Sequence, residues 1–268
     1  MGIFEKMKND LVSIITPSWN CASFIEETIR SIQSQTYTNW ELLFQDDCST
    51  DNTKELVAQF AEKDFRIKYE CNPQNSGAAI TRNNALRRAK GKWIAFLDSD
   101  DLWASDKLEK QIKFMVQNGC HFSYTNYCEI NDQSEEIGKL VTGPRYITKA
   151  GMYAFCWPGC LTVMYDREMI GLIQIADIKK NNDYAMWLKV CKKTDCYLLD
   201  ENLAKYRRGR SGSISTHGYA TLIKWHYKLF REAEGMNPLS SFIMTCINMV
   251  CGFYKKKRYV KQYNISCS

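Results

Sequence analysis

Asp98, Asp100 and Asp101 stand together with Ser99 directly after an apolar run, Trp93-Ile94-Ala95-Phe96-Leu97. Five apolar residues bounded by Gly91-Lys92 on one side and acids on the other suit a strand buried on both faces. Ending such a strand in carboxylates puts several negative charges at the rim of a core, which is costly unless a cation shares the site. Hard oxygen ligands select Mg²⁺ or Mn²⁺, ions that keep room for water and substrate phosphates. Asp98-x-Asp100 leaves two carboxylates on one side of an extended chain. The chemistry suggested is a divalent metal holding a diphosphate at the C-terminal end of a strand. The competing reading is an acidic turn that only caps the helix near Ser105. Two further acidic positions stand out. Asp46-Asp47 follows Trp40–Gln45, and Asp183 precedes a helix carrying Tyr184, Trp187, Leu188 and Cys191 on one broad face. Asp183 reads either as a base or as that helix's N-cap. Tyr206–Ser213 is basic and rich in glycine, a flexible stretch able to fold over phosphate oxygens.

Positioning these groups requires strands and helices in alternation. Leu11–Thr16 reads as a buried strand stopped by Pro17, followed by a loop at Ser18-Trp19-Asn20. Ser23-x-x-Glu26 suggests a capping box for a helix bearing Phe24, Ile25, Ile29 and Ile32. Trp40–Gln45 is a second strand, and Leu56, Val57 and Phe60 mark the next helix. Arg66–Glu70 is a short third strand, Gly77–Lys90 a helix, and Trp93–Leu97 the fourth strand. This period implies βαβ units and a mainly parallel sheet, with ligands beyond the C-terminal strand ends. Thr16-Pro17-Ser18, Asp46-Asp47 and Asp98-Ser99-Asp100 should therefore meet in one crevice. Later, Leu108, Ile112 and Met115 indicate an amphipathic helix, Cys120–Tyr124 and Cys160–Tyr165 strands, and Asn131–Gly143 a polar loop. No Gly-x-Gly-x-x-Gly or Walker loop occurs, which disfavours a dinucleotide fold or an NTPase.

The chain has 268 residues, 45% hydrophobic and 25% charged, enough for one α/β domain with a small appendage. Twelve cysteines are scattered without a Cys-x-x-Cys pair, and three histidines make a zinc site unattractive. Met1–Lys6 lacks the apolar core of a secretory signal, so a reducing compartment is expected. The formal charge is +6, and Lys255-Lys256-Lys257-Arg258 with Lys261 follows an apolar stretch from Leu239 to Tyr254. That stretch falls short of a membrane span. It reads either as an interfacial helix with a basic end that seeks anionic lipid, or as a packed terminal helix with a solvated tail. Nucleic acid is not expected as a partner, because the chain has no basic-aromatic stripe and its central acids would repel phosphates.

Several spaced stretches, in order, resemble family 2 glycosyltransferases. They are Val12–Asn20, Ser31–Thr36, Asp46–Thr53, Asn83–Leu86, Asp98–Asp101 and Asp183–Leu188. The resemblance covers roughly Val12 to Ser215. It implies a GT-A fold and inverting transfer from a nucleotide-diphosphate sugar with Mn²⁺ or Mg²⁺. Carried over, Thr16, Pro17 and Asn20 would shape the nucleotide pocket, and Asp47 or Asp46 would accept a hydrogen bond from the base, favouring uracil. Arg82 would lie near the diphosphate or sugar, Asp98 would contact the ribose or sugar beside Ser99, and Asp100 would bind the metal. Asp183 would be the catalytic base, and Arg207 and Arg210 would fall in a loop closing over the diphosphate. Trp19 departs from the usual tyrosine, and Asn182 stands where an acid commonly precedes the base.

The expected division is a GT-A domain over residues 1–218 and a helical, basic, membrane-associating extension over 219–268. The expected donor is a UDP-hexose, with glucose or galactose favoured. The expected acceptor is a lipid-diphosphate-linked N-acetylhexosamine in bacterial surface polysaccharide synthesis, reached at the cytoplasmic face of the inner membrane. UDP-GlcNAc as donor, or a non-catalytic sugar-nucleotide-binding protein, are the alternatives.

Overall fold

The computed structural model describes residues 10–209 and 219–263. Its centre is a run of parallel strands, β1 (Val12–Ser18), β2 (Trp40–Asp46), β3 (Ile67–Cys71) and β4 (Trp93–Phe96), ordered β3-β2-β1-β4. Between them lie α1 (Ile25–Gln33), α2 (Thr53–Lys63) and α3 (Ala78–Arg88). Every residue of β1 and β2 is buried. Val12 and Ile14 pack with α1, α2 and α4 (Lys107–Asn118), whereas Ile15 packs with α3 and α7 (Asn182–Cys191) on the other face. A strand covered on both faces needs apolar residues at successive positions, which is why these strands read as continuous runs.

Beyond β4 the sheet becomes mixed. β5 (Leu102–Trp103) follows the acids, then β6 (Phe122–Ile130), β7 (Glu136–Val141), β8 (Tyr146–Ile147), β9 (Met164–Asp166) and β10 (Cys196–Arg207). β9 is antiparallel to both β4 and β6, while β10 runs parallel to β6 and antiparallel to β5 and β8. Short helices α5 (Lys149–Ala154) and α6 (Arg167–Ile170) fill the connections. The α/β architecture, a mixed sheet with a parallel centre flanked by helices, is the one expected from the sequence.

Several local expectations are corrected. Glu136–Val141 pairs with β6 as a strand, although its polar residues suggested a loop. Cys160–Thr162 is a 3₁₀ turn, and only Met164–Asp166 is extended. Ser23 caps nothing: α1 starts after Phe24, and the Cys21 carbonyl accepts from the amides of Phe24 and Ile25. Pro17 does not stop β1, which continues to pair with β2 through Ser18↔Asp46. The proline is tolerated because β4 has already ended alongside, at Ile15↔Phe96. Tyr206 and Arg207 are not loop but the end of β10.

At the C-terminal end, α8 (Tyr219–Lys228) passes through a π turn at Leu229–Ala233, whose Leu229 and Phe230 are fully buried. α9 (Pro238–Arg258) begins at Asn237, whose Oδ1 accepts from the Ser240 amide at 2.8 Å, with proline in the first turn. β11 (Val260–Gln262) then pairs antiparallel with β7. α9 is amphipathic in reverse. Ser241, Thr245 and Asn248 are its buried residues, whereas Leu239, Phe242, Ile243, Ile247, Val250, Phe253 and Tyr254 face outward. No helix among the described residues is long and apolar enough to cross a membrane.

Candidate active site

The three strand ends meet. Ser18 is in register with Asp46, the Asp47 amide donates to the Ser18 carbonyl at 2.8 Å, and the Leu97 amide donates to the Ile15 carbonyl at 3.2 Å. The loops after β1 and β2 are laced together: Asn20, at φ +48°, donates its amide to Ser49 Oγ and accepts from the Thr50 amide, both at 2.8 Å. Asparagine tolerates the left-handed region because its short side chain bonds locally. Thr16 and Pro17 lie within the buried end of β1, and Thr16 Oγ1 is buried without a hydrogen-bond partner.

Asp46 and Asp47 are both buried but differently held. Asp46 accepts from Ser49 Oγ (2.5 Å), the Ser49 amide (3.2 Å) and Tyr69 Oη (2.9 Å). Asp47 accepts from the amides of Ser76 and Gly77, each at 2.7 Å, and from Asn72 Nδ2 at 2.8 Å, so its carboxylate holds the entrance to α3. Asn72 is a buried hub that sequence reasoning missed. Its amide also meets Thr81, and its carbonyl accepts from Gln45 and Asn84. The only clue was its place one residue beyond β3, at the acid-bearing end of the sheet.

Arg82 joins the first half of the chain to the second. From α3 it donates to Asp98 Oδ1 at 2.5 Å and to Asn182 Oδ1 at 2.9 Å, across one hundred residues of sequence. Its Nε is buried without a partner. Burial works against the charged guanidinium, but the carboxylates of Asp98 and Asp183 outweigh it and hold the pKa above its usual range. Asp183 sits in the first turn of α7 and is not the N-cap. Asn181 takes that position, in the left-handed region, and Asp183 Oδ1 accepts from the Tyr184 amide. Burial raises the Asp183 carboxyl above the ordinary range, with Arg82 opposing and Asp98 reinforcing. Asp98, Arg82, Asn182 and Asp183 therefore form one group.

The acid turn itself is braced from below. Thr28 Oγ1 donates to the carbonyls of Ser99 (3.2 Å) and Asp101 (3.0 Å). Arg207 donates Nε to the Asp100 carbonyl, Nη1 to the Asn131 carbonyl, and Nη2 to Glu27 and Ser134, all at 2.8–2.9 Å. Its guanidinium is fully buried and lies 4.6 Å from the Phe24 ring centroid. Arg207 thus fixes the turn rather than belonging to a mobile loop; its donors meet protein acceptors. Arg210 lies outside the described residues. Asp101 is buried, takes the Arg207 amide on Oδ1, and leaves Oδ2 without a partner. Burial and its two acidic neighbours raise its pKa well above the ordinary range.

Among the described residues no group of three metal-ligating side chains converges. A Mg²⁺ or Mn²⁺ that binds substrate phosphates needs only one or two protein carboxylates, because the ligand and water complete its shell. A half-buried Asp100 next to the orphaned Asp101 oxygen fits that requirement.

Residues 13–162 match the family model described as glycosyl transferase family 2. The chain is 41% identical over 228 residues to a putative teichuronic acid biosynthesis glycosyltransferase, TuaG, of Bacillus subtilis, covering 85% of this chain and 90% of that one. It is 43% identical over 251 residues to the UDP-Glc:alpha-D-GlcNAc-diphosphoundecaprenol beta-1,3-glucosyltransferase WfgD of Escherichia coli, covering 93% and 96%. Among solved structures, S. aureus TarS in complex with UDP-GlcNAc superposes with a TM-score of 0.70 at 20% identity, over 90% of this chain and 74% of that one. With the strand ends, the acid turn and Asp183 gathered at one edge of such a sheet, the chain is a transferase of GT-A fold and belongs to glycosyltransferase family 2.

Proposed function

We propose that this enzyme moves a hexose, glucose or galactose, from a UDP-sugar to a lipid-diphosphate-linked N-acetylhexosamine, with inversion, in bacterial O-antigen or capsule assembly. The observation that carries the reading is the Arg82 bridge, which sets Asp183 beside the acid turn. The name of the 43% identical WfgD supports the choice of donor and acceptor.

In this reading Thr16, Pro17, Asn20, Asp46 and Asp47 border the nucleotide, and Asp98 and Ser99 border the sugar. Asp183 accepts the proton of the acceptor hydroxyl as that oxygen forms its bond to C1. The C1–O bond to the diphosphate breaks on the opposite face, UDP departs with the electron pair, and the anomeric centre inverts. A raised carboxyl pKa makes Asp183 a stronger base than an exposed aspartate, while Arg82 keeps it ionised. Asp100 would hold the divalent metal, which when bound offsets the charge gathering on the departing diphosphate. The outward apolar face of α9 would rest on the cytoplasmic face of the membrane that carries the acceptor.

The test uses UDP-glucose, a synthetic lipid-diphosphate-GlcNAc and Mn²⁺ or Mg²⁺. A β-linked disaccharide is expected. Asp183→Asn should retain UDP binding and lose turnover by about a hundredfold or more. An α-linked product would overturn inversion, and a normal rate in Asp183→Asn would remove it as base.

A further inference from the structure

Behind α9 lies a cavity of about 510 Å³ between this helix, β6–β7 and α8. Its polar wall is made by Lys139, Arg208, Lys255 and Lys256 against the single carboxylate of Glu129, and its apolar wall includes Phe155 and Phe253. Glu129 is shared between Arg208 at 3.0 Å and Lys139 at 3.5 Å, so the wall keeps an excess of positive charge.

Lys255 is the inward-facing cation. The polar stripe of α9 runs Ser241, Thr245, Asn248, Gly252, Lys255, spaced alternately by four and three residues, which places them on one helix face. Gly252 lets this face approach the body closely: a Cβ there would meet Phe155 Cε2 at 3.0 Å. Past that contact, Lys255 Nζ donates to the carbonyls of Trp157 (2.7 Å) and Cys156 (3.4 Å) and lies 5.4 Å from the Phe155 ring centroid. It rests on carbonyls and a ring rather than on a carboxylate. Two stripe positions before Lys255, Asn248 Nδ2 donates to Tyr184 Oη at 2.7 Å, so the cavity adjoins the residue that follows Asp183. Burial pulls the Lys255 pKa down to about 8, with the charge of Asp183 among the groups that oppose this. An incoming anion would restore full protonation.

We propose that this cavity receives the diphosphate of the lipid-linked acceptor, with Lys255 as its innermost contact and the exposed apolar face of α9 alongside the lipid chain. This deepens the functional reading above and rests on it. Two negative phosphates suit a wall with surplus cations, and a ligand that is charged at one end and apolar at the other suits a polar cavity lined in part by Phe155 and Phe253. Bound there, the acceptor would present its sugar toward Asp183.

The probe is farnesyl diphosphate, titrated calorimetrically into the full chain with UDP and Mn²⁺ already saturating, and inorganic diphosphate and farnesol serve as controls. Saturable binding that persists with UDP present is expected. Lys255→Met should weaken it about tenfold or more, while UDP affinity stays unchanged and so reports an intact fold. Lys255→Arg should recover most of the loss. Equal affinity in Lys255→Met, displacement by UDP, absence of binding, or inorganic diphosphate binding as tightly would each overturn the proposal. Transfer from UDP-glucose is measured separately. Wild-type transfer with an unaltered acceptor KM in Lys255→Met would sink this site and leave the functional reading standing. Farnesyl diphosphate binding without transfer to any lipid-linked sugar would do the reverse.

Discussion

Arg82 serves two neighbours, and the consequence is a pH dependence that can be read. In its proposed role as the base, Asp183 must be ionised to accept a proton. Burial raises its pKa, so activity is lost as pH falls through a value above the ordinary aspartate figure of about 3.9. The cation at Arg82 resists that rise. Arg82→Gln should therefore move the acidic limb of the kcat/KM profile to higher pH, and Arg82→Lys should move it less. A limb that stays in place in both variants would show that another group titrates. Asn182 gives Arg82 a neutral acceptor beside Asp183. A carboxylate there would compete for Arg82 and add a negative charge beside Asp183, whereas the amide accepts one hydrogen bond without adding charge.

At the scale of elements, the helix α4 contains a contradiction. Lys107, its first residue, has no exposed surface, and its Nζ is buried without a hydrogen-bond partner, 3.9 Å from the Trp103 ring centroid. Burial pushes its pKa well below that of a free lysine. Below the unfolded pKa of about 10.4 the unfolded chain binds a proton that the folded chain disfavours, so this residue destabilises at neutral pH and less so as pH rises. Lys107→Met should raise stability by about 1–3 kcal/mol at pH 7, visible as a higher Tm, and the gain should shrink toward pH 10. A Tm equal to or below that of the parent chain would refute it.

The elements also differ in how far the sequence discloses them. β1, β2 and β4 are legible because burial on both faces demands unbroken apolar runs. β10 is not: Asp200, Glu201, Asn202 and Lys205 break any alternation, and its pairing with β6 shifts register twice. It is a strand because β6 lies beside it, a fact stored far away in the chain. β7 is hidden for the same reason. In the site, Asp98, Asp100 and Asp183 stand out as acids at strand or helix ends. The roles of Asn72, Asn182 and Lys255 depend on contacts across 25 to about a hundred residues, and no local pattern announces them.

For the molecule as a whole, charge and exposed apolar surface coincide. The net charge is +6, and four consecutive basic residues end a helix whose outward side is apolar. Such a surface should bind anionic vesicles and release them as salt shortens the Debye length from about 10 Å at 0.1 M to about 3 Å at 1 M. Combined replacement of Leu239, Phe242 and Val250 by serine should abolish co-sedimentation with phosphatidylglycerol vesicles. Because these side chains are exposed, the Tm should barely move. Unchanged sedimentation would retire α9 as the contact.

The unequal lengths of β1 and β4 have a consequence for anything seated at the edge of the sheet. β4 stops opposite Ile15, whereas β1 and β2 climb together to Ser18 and Asp46. Three residues of extended chain amount to about 10 Å. At the level of the paired strands the rim is therefore a stair, with Asp46 closing the upper tread and Phe96 the lower, from which Leu97 and Asp98 lead on into the acid turn. A molecule long enough to touch both treads must lean, one end high and the other low. A flat, stiff molecule laid parallel to the rim would rest on one tread and miss the other.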